Sequence, residues 1–244
     1  MAKRTTILMS VVLFLALSGV DAFGQKKFSR TYPAGQNVRL SLMNKSGMVT
    51  VEGWNRPQVS ITASLESPGA EIVPQNQSGT IIINLVRDNQ GKETGSVNFL
   101  IRVPYSTMVD IETRVGDLRV SNIRSGLVRA HISTEGGITL SNIESAAVAA
   151  DNVTGDIFFD GVIVEGGLYR FSANKGNINI RIPFSSSFKL VATAPSTRNI
   201  SLGSFSGANL NYLGDGRRVV GRFNEGSATL TITNQKGSIS FLPR

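Results

Sequence analysis

The 244-residue chain contains no cysteine, one histidine and one tryptophan, and aromatic residues make up only 7% of it. Without cysteine there is no disulfide framework, no thiolate nucleophile and no Cys-based metal centre, so stability must come from burial and backbone pairing. A single histidine, His131, leaves no HExxH pair and no His-rich metal tract. There is no Walker A sequence, and no G-x-G-x-x-G opens a helix after a strand. Beyond residue 25 no segment shows a 3.6-residue apolar period, and no apolar run approaches membrane-spanning length. No Pro/Gly/Ser-rich linker divides the chain.

What is present begins at the N-terminus. Lys3 and Arg4 precede an apolar run from Ile7 to Leu17, followed by Val20-Asp21-Ala22, with small residues where a signal peptidase requires them. Ala22-Phe23-Gly24 offers a second cleavage site. That order predicts a secretory signal peptide over 1–22, cut near 22–24, and an exported product in the periplasm, on the outer surface or secreted. The lack of cysteine after the apolar run excludes a bacterial lipoprotein anchor. The formal charge is +8, yet the basic residues are scattered, with only Lys26-Lys27 and Arg217-Arg218 adjacent beyond the leader. This reads as a solvated surface, not as the basic stripe interleaved with aromatics that nucleic acid requires.

A short unit then recurs. Gly-x-φ-x-φ, with φ apolar, begins at Gly47, Gly116, Gly136, Gly155, Gly176 and Gly237; the central spacings are 20, 19 and 21 residues and the outer ones 69 and 61, the latter near three periods. Alternation of period two within each copy argues for strands. Leu118, Ile138, Ile157 and Ile178 form one expected inward row, and Val120, Leu140, Phe159 and Ile180 a second. Arg119, Thr139, Phe158 and Asn179 face outward between them. A second alternating strand follows each copy, through Val109 and Ile111, Val128, Ala130 and Ile132, Val148 and Ala150, then Tyr169 and Phe171. The expected fold is therefore all-β: a single-domain β-solenoid, β-helix or β-roll in type, over residues 28–244. It has about 20 residues and two strands per rung, with rungs about 4.8 Å apart. Glycine at each corner suits φ > 0 or close backbone approach. Asn122 and Asn142 are placed to stack as an amide ladder, and Asn44, Asn174 and Asn234 to adopt turn conformations. An irregular loop is expected near 204–226, a cap over 28–42, and a stop to pairing at Pro243.

The stretches GMVTVEGWNRPQVSI (47–61), FLIRVPYSTMVDIETRVGDLRV (99–120), GNINIRIPFSSSFKLVATA (176–194) and GSATLTITNQKGSISFLP (226–243) together resemble the DUF4097 "putative adhesin" family. They are also similar to the related "putative auto-transporter adhesin, head GIN domain" family. The resemblance spans nearly the whole chain after the leader. It implies a β-helix-like solenoid in exported or envelope-associated bacterial proteins, and it brings no catalytic or binding residues to carry over.

Chemistry is sparse by comparison. His131 points outward by parity, and nothing places a nucleophile and an acid beside it as a triad would need. Asp117 and Asp156 follow corner glycines two rungs apart, roughly 9–10 Å, which falls at the upper end of the carboxylate separation in inverting glycosidases. Acids beside glycine are also ordinary turn residues. Gly136-Gly137 lacks the following glycine and aspartate of the GGxGxD calcium repeat, and DNVTGD (151–156) lacks the bidentate Glu of an EF-hand loop. No cofactor is implied. Surface recognition remains, with Phe158, Trp54, Arg119, Arg129 and Arg170 as candidates, Ala149 separating the last two. The expected function is a non-catalytic envelope or surface protein presenting a rigid solenoid for adhesion or partner binding, the partner being an envelope protein or a glycan. A periplasmic scaffold for another envelope protein is the alternative, and a carbohydrate-active enzyme using Asp117 and Asp156 the remote one.

Overall fold

A computed structural model of the chain describes residues 26–35, 37–66, 70–207 and 209–244. The signal peptide expected at 1–22 lies outside the described residues.

The expected strands form, and they stack in parallel. The central rungs are β9 (Leu118–Glu135), β10 (Ile138–Thr154), β11 (Ile157–Val162) with β12 (Leu168–Lys175), and β13 (Ile178–Ile182). Residues at equal repeat positions pair rung on rung: Leu118 with Ile138, Ile138 with Ile157, Ile157 with Ile178. β9 and β10 each run unbroken through two sheets, so hydrogen bonding makes one open sheet of 19 strands folded over a shared core. Both inward rows are buried as their parity requires, and Phe159 of one sheet meets Phe171 of the other with ring centroids 5.1 Å apart. Every apolar side chain on these rows leaves water at about 25 cal/mol per Å² of surface, which stands in for the missing disulfides.

Two corners turn each rung. At one, Asn122 and Asn142 adopt φ of 58° and 53°, and Asn142 Nδ2 donates to Asn122 Oδ1 at 2.8 Å, so the expected amide ladder is present. In the third rung this corner lengthens over 163–167 and is pinned from inside by Tyr169. Its hydroxyl donates to Ser145 O and accepts from Val164 N–H, both at 2.8 Å. Burial, reinforced by the negative Glu144, raises the Tyr169 pKa above the ordinary phenol value, against the opposing pull of the Val164 N–H. A raised folded-state pKa favours the protonated fold. That contribution is complete below the unfolded value near 10 and is lost as pH rises through the folded one. Tyr169→Phe is expected to cost about 1–3 kcal/mol at pH 7 by orphaning both partners. The variant should also flatten the alkaline fall in unfolding temperature, as thermal melts from pH 8 to 11 would show.

The other corner is the glycine corner. Gly47, Gly116, Gly136, Gly155, Gly176 and Gly237 form one column, each so close to the carbonyl of the preceding glycine that a Cβ on any of the last five would overlap it. Gly116 N donates to Glu135 O at 2.9 Å and Gly136 N to Thr154 O at 2.9 Å, continuing the ladder through the corner.

This column corrects the reading of the outer spacings. Before Gly47 comes β1 (Lys26–Pro33) and then β2 (Arg39–Ser46); after it β3 (Val49–Trp54) pairs directly with β9. The 69-residue gap is an excursion through β4 (Gln58–Leu65), β5 (Gln75–Gln77), β6 (Thr80–Asn84), the one-turn α1 (Leu85–Asp88) and β7 (Val97–Pro104), which extends the stack outward past β3. It returns through β8 (Met108–Val115) between β2 and β9. The 61-residue gap is a matching excursion: β14 (Phe188–Thr193), β15 (Ile200–Ser201), β16 (Leu210–Leu213) and β17 (Arg218–Phe223) lie beyond the last rung. β18 (Ala228–Lys236) slots back between β12 and β14, and β19 (Ile239–Pro243) between β13 and β15. The last rung in sequence is thus internal in space. Pro243 is the last residue of β19 and pairs in register with Ile182 inside the stack, not at its end. In the 28–42 segment β2 is an interior strand, paired with β6 and β8, and only β1 is an edge. Antiparallel strands close the ends: β1–β4–β7 and β5–β6 at one, β14–β17–β16 at the other. The stretch expected to be irregular, 204–226, holds the β16–β17 hairpin and a short 3-10 turn whose Phe205 packs 5.7 Å from Phe241. Such closure leaves little of the parallel ladder open to edge-to-edge pairing.

Candidate functional site

The glycine corners account for the carboxylates singled out in the sequence. Asp117 Oδ1 accepts from Gly137 N at 2.9 Å, and Asp156 Oδ1 from Asn177 N at 2.7 Å. Asn177 Oδ1 in turn accepts from Ser238 N at 3.1 Å, and Asn98 Oδ1 from Met48 N at 2.7 Å. Asp117, Asp156 and Asn177, each following a corner glycine, therefore cap the amide of the neighbouring rung, and Asn98 does the same for Met48 from outside the glycine column. Asp117 also pairs with Arg119 at 3.6 Å. These acids are joints of the stack, and no third group converges on them.

Three buried asparagines lock the same corner from inside. Asn152 Nδ2 donates to Gly136 O at 2.8 Å, Asn234 Nδ2 to Gly176 O at 2.9 Å, and Asn44 Nδ2 to Val97 O at 3.1 Å. Asn44 and Asn234, expected in turn conformations, and Asn152, which the repeat does not mark, are all buried strand residues, and none of the three has positive φ. The legible signal is N-x-x-G, since a residue three before the corner glycine has inward parity. Asn174, two before its glycine, points out and is exposed.

The five surface candidates separate onto different faces. Phe158 is half-buried on the outward side of the first sheet, in register between Thr139 and Asn179; Arg119 lies two strands away on the same side. Trp54 sits at the end of β3, its indole N–H donating to Gln58 O at 2.8 Å. The guanidinium groups of Arg56 and Arg102 lie 5.0 and 5.9 Å from its ring centre, so the chain's own cations already engage that ring. With Tyr105, Pro57 and Pro104 it lines a concavity of about 470 Å³. His131 lies outward in register between Glu112 and Asp151, and no group of three metal-ligating side chains occurs among the described residues.

Arg129 and Arg170 are brought together. They share one outward row of the second sheet, Arg129–Ala149–Arg170–Thr231, on four neighbouring strands. The row beside it runs Leu127–Ala147–Leu168–Thr229. Alanines on β10 and threonines on β18 are short, whereas Leu168 and Arg170 on β12 are long. The result is an open groove of about 610 Å³ on a face otherwise made flat by strand geometry. Leu168 is 63% exposed, the most exposed large apolar side chain among the described residues. Arg129 is held by Asp110 at 2.7 Å, and Asp110 also takes Arg39 at 2.9 Å; Arg170 has no ion pair. The groove offers an uncommitted guanidinium, an apolar ledge and threonine hydroxyls on a rigid lattice. It has no paired acid and base with which to move a proton.

Stacked parallel rungs, antiparallel closures and one grooved outer face define a β-solenoid that is solid inside and offers its surface, not a cavity. The chain belongs to the DUF4097, or Toastrack, family, whose profile matches residues 20–241. Its fold is shared with the solved "putative cell adhesion protein" of Clostridium sporogenes, at 12% identity and a TM-score of 0.50, covering 90% of this chain and 100% of that one. A "putative adhesin" of Bacteroides fragilis is similar at 11% identity and a TM-score of 0.35, over 89% and 97% of the two chains. A "putative lipid binding protein" of Parabacteroides distasonis is similar at 10% and 0.39, over 90% and 98%. No curated protein matches the chain. No helix among the described residues is long and apolar enough to cross a membrane.

Proposed function

We propose that this chain is a non-catalytic exported binding protein that uses its solenoid as a rigid frame and the groove on the second sheet as its contact surface. The observation that carries this reading is the pairing of exposed Leu168 with the uncommitted Arg170 over a floor of alanine and threonine. An apolar ledge and a free charge, both carried on β-strands, need no backbone ordering on binding, and only their side chains must be fixed, at about 0.5–1.5 kcal/mol each. The adhesin-type relatives support the same reading, as does the leader-like N-terminus.

Two measurements test it. Protease shaving of intact source cells, followed by mass spectrometry, is expected to release peptides of this chain; release only after lysis would place it in the periplasm and favour the scaffold alternative. Ala149→Trp fills the groove floor at an outward position. The variant is expected to melt within about 2 °C of the parent and to lose binding of the purified protein to isolated source-cell envelopes. Unchanged binding by a folded Ala149→Trp protein would overturn the groove as the contact surface.

A further inference from the structure

The chain's charge is distributed unevenly along the stack. Residues 161–244 hold ten of the 25 Lys and Arg but only three of the 17 Asp and Glu, namely Glu165, Asp215 and Glu225; nearly all of the net +8 therefore lies in the last third. Pairing follows the same division, apart from Arg244, which meets Asp160 at 3.1 Å. Toward the N-terminal end Arg39 and Arg129 share Asp110, Arg102 meets Glu52 at 3.2 Å, and Arg124 meets Glu144 at 3.7 Å. Past β10, Arg170, Lys189, Arg218 and Arg222 stand on the outward rows of β12, β14 and β17 without an ion pair. Asp151 is the one carboxylate on the outward rows of β12, β18, β14, β17 and the part of β10 from Ala147 onward; Glu144 lies nearer the corner of β10, where it meets Arg124. Clustering like charges on one face destabilises the fold by self-repulsion, so the face is complete only with a counter-charge.

We propose that this face binds a linear acidic polysaccharide, laid along the stacking axis with its carboxylates on Arg170 and Lys189. The inference rests on the groove reading above and names its ligand class. Arg129 on β9, Arg170 on β12 and Lys189 on β14 occupy every second strand, because β10 and then β18 intervene. Arg129 and Arg170 share one row, so their backbone attachment points are separated by about 9–10 Å. Lys189 stands in the neighbouring row with Leu168 and Thr229, about 12 Å from Arg170, a difference its flexible side chain can span. Such a spacing is close to the length of a disaccharide, so a glycan with one acid per two sugars meets a cation at each repeat. Between the cations Ala149 and Thr231 let the chain approach the sheet, and Thr229 and Thr233 present hydroxyls to sugar hydroxyls. Leu168 supplies an apolar contact for the C–H face of a ring. A concave groove with no outward aromatic suits a threadlike anion better than a flat lipid surface, and it lacks the platforms on which nucleic-acid bases stack.

The test is calorimetric titration of the purified chain with oligomers of polygalacturonate, alginate and heparin, and with a neutral maltooligosaccharide, in rising NaCl. Binding is expected to the acidic oligomers alone and to weaken with salt, because exposed charges are screened. Arg170→Gln should weaken it by about tenfold or more, the scale of one charge-assisted contact. Arg170→Glu with Lys189→Glu should abolish it, while Arg119→Gln on the other sheet leaves it unchanged. Melting within about 2 °C of the parent confirms that each variant is folded. No binding to any acidic oligomer, or binding indifferent to Arg170→Gln, overturns the proposal. If the neutral oligomer binds as tightly and Ala149→Trp removes it, the groove reading stands and the acidic-glycan inference fails. Arg170-dependent binding to phosphatidylglycerol vesicles, without binding to the oligomers, overturns the proposal in favour of a lipid surface.

Discussion

Replacing Leu140 by aspartate is expected to leave no folded protein at pH 7, while Thr139→Asp, one residue earlier, shifts the unfolding temperature by less than about 2 °C. Leu140 is fully buried, stacked in register between Val120 and Phe159. Truncating a buried leucine costs about 2–5 kcal/mol through lost transfer energy and the cavity left behind. The new carboxyl has no donor among these apolar rows, so it must stay ionised without a partner or take up a proton. Holding it neutral at pH 7 against an unfolded pKa near 3.9 costs about 4 kcal/mol more. Together these consume most of the roughly 5–15 kcal/mol that a domain has. Because the folded pKa is raised, the variant is least unstable below about pH 4 and loses further ground as pH rises toward that folded value. Thr139 has the opposite parity and is partly exposed, so its replacement is solvated. Soluble yield and circular-dichroism melts decide the matter: equal damage at both positions would show that the inward and outward rows are wrongly assigned.

The glycine corners make the second large prediction. Gly155→Ala is expected to lower stability by about 4 kcal/mol, or roughly 10 °C in melting temperature, whereas Gly137→Ala in the adjacent corner is expected to be neutral or slightly stabilising. Gly155 has φ of 125°, and a Cβ there would overlap the carbonyl of Gly136. The backbone strain is worth about 1–3 kcal/mol, and the forced separation of two rungs about the same again. Gly137 lies outside the left-handed region, and its Cβ would find Asp117 Oδ1 at 3.5 Å, an ordinary contact. Of the neighbouring glycines in "GG" at 136–137, only the first belongs to the column. Comparable losses in Gly155→Ala and Gly137→Ala would show that rung spacing does not depend on the missing side chains.

The rungs were legible because their causes are local. A period of two decides which side chains face the core, and a glycine every 19–21 residues marks where the chain turns, so the buried rows through Leu118, Leu140 and Phe159 follow from residue order alone. The amide pair Asn122–Asn142 followed in the same way. Gaps of 69 and 61 residues carry no such information, because an excursion that extends the stack and a run of weak rungs share the same spacing. Only pairing in space puts Gly47 on Gly116 and Gly237 on Gly176, and moves β18 and β19 inside the stack. The candidate site divides along the same line. Outward parity singled out Arg129 and Arg170 and the alanine between them. Lys189, Arg218 and Arg222, far apart in sequence and scattered to the eye, share that face only because two antiparallel strands fold back beside β18. By itself the sequence determined which side of each strand meets water; the tertiary structure decided which strands lie side by side, since lateral neighbours are chosen by hydrogen bonding across distant segments.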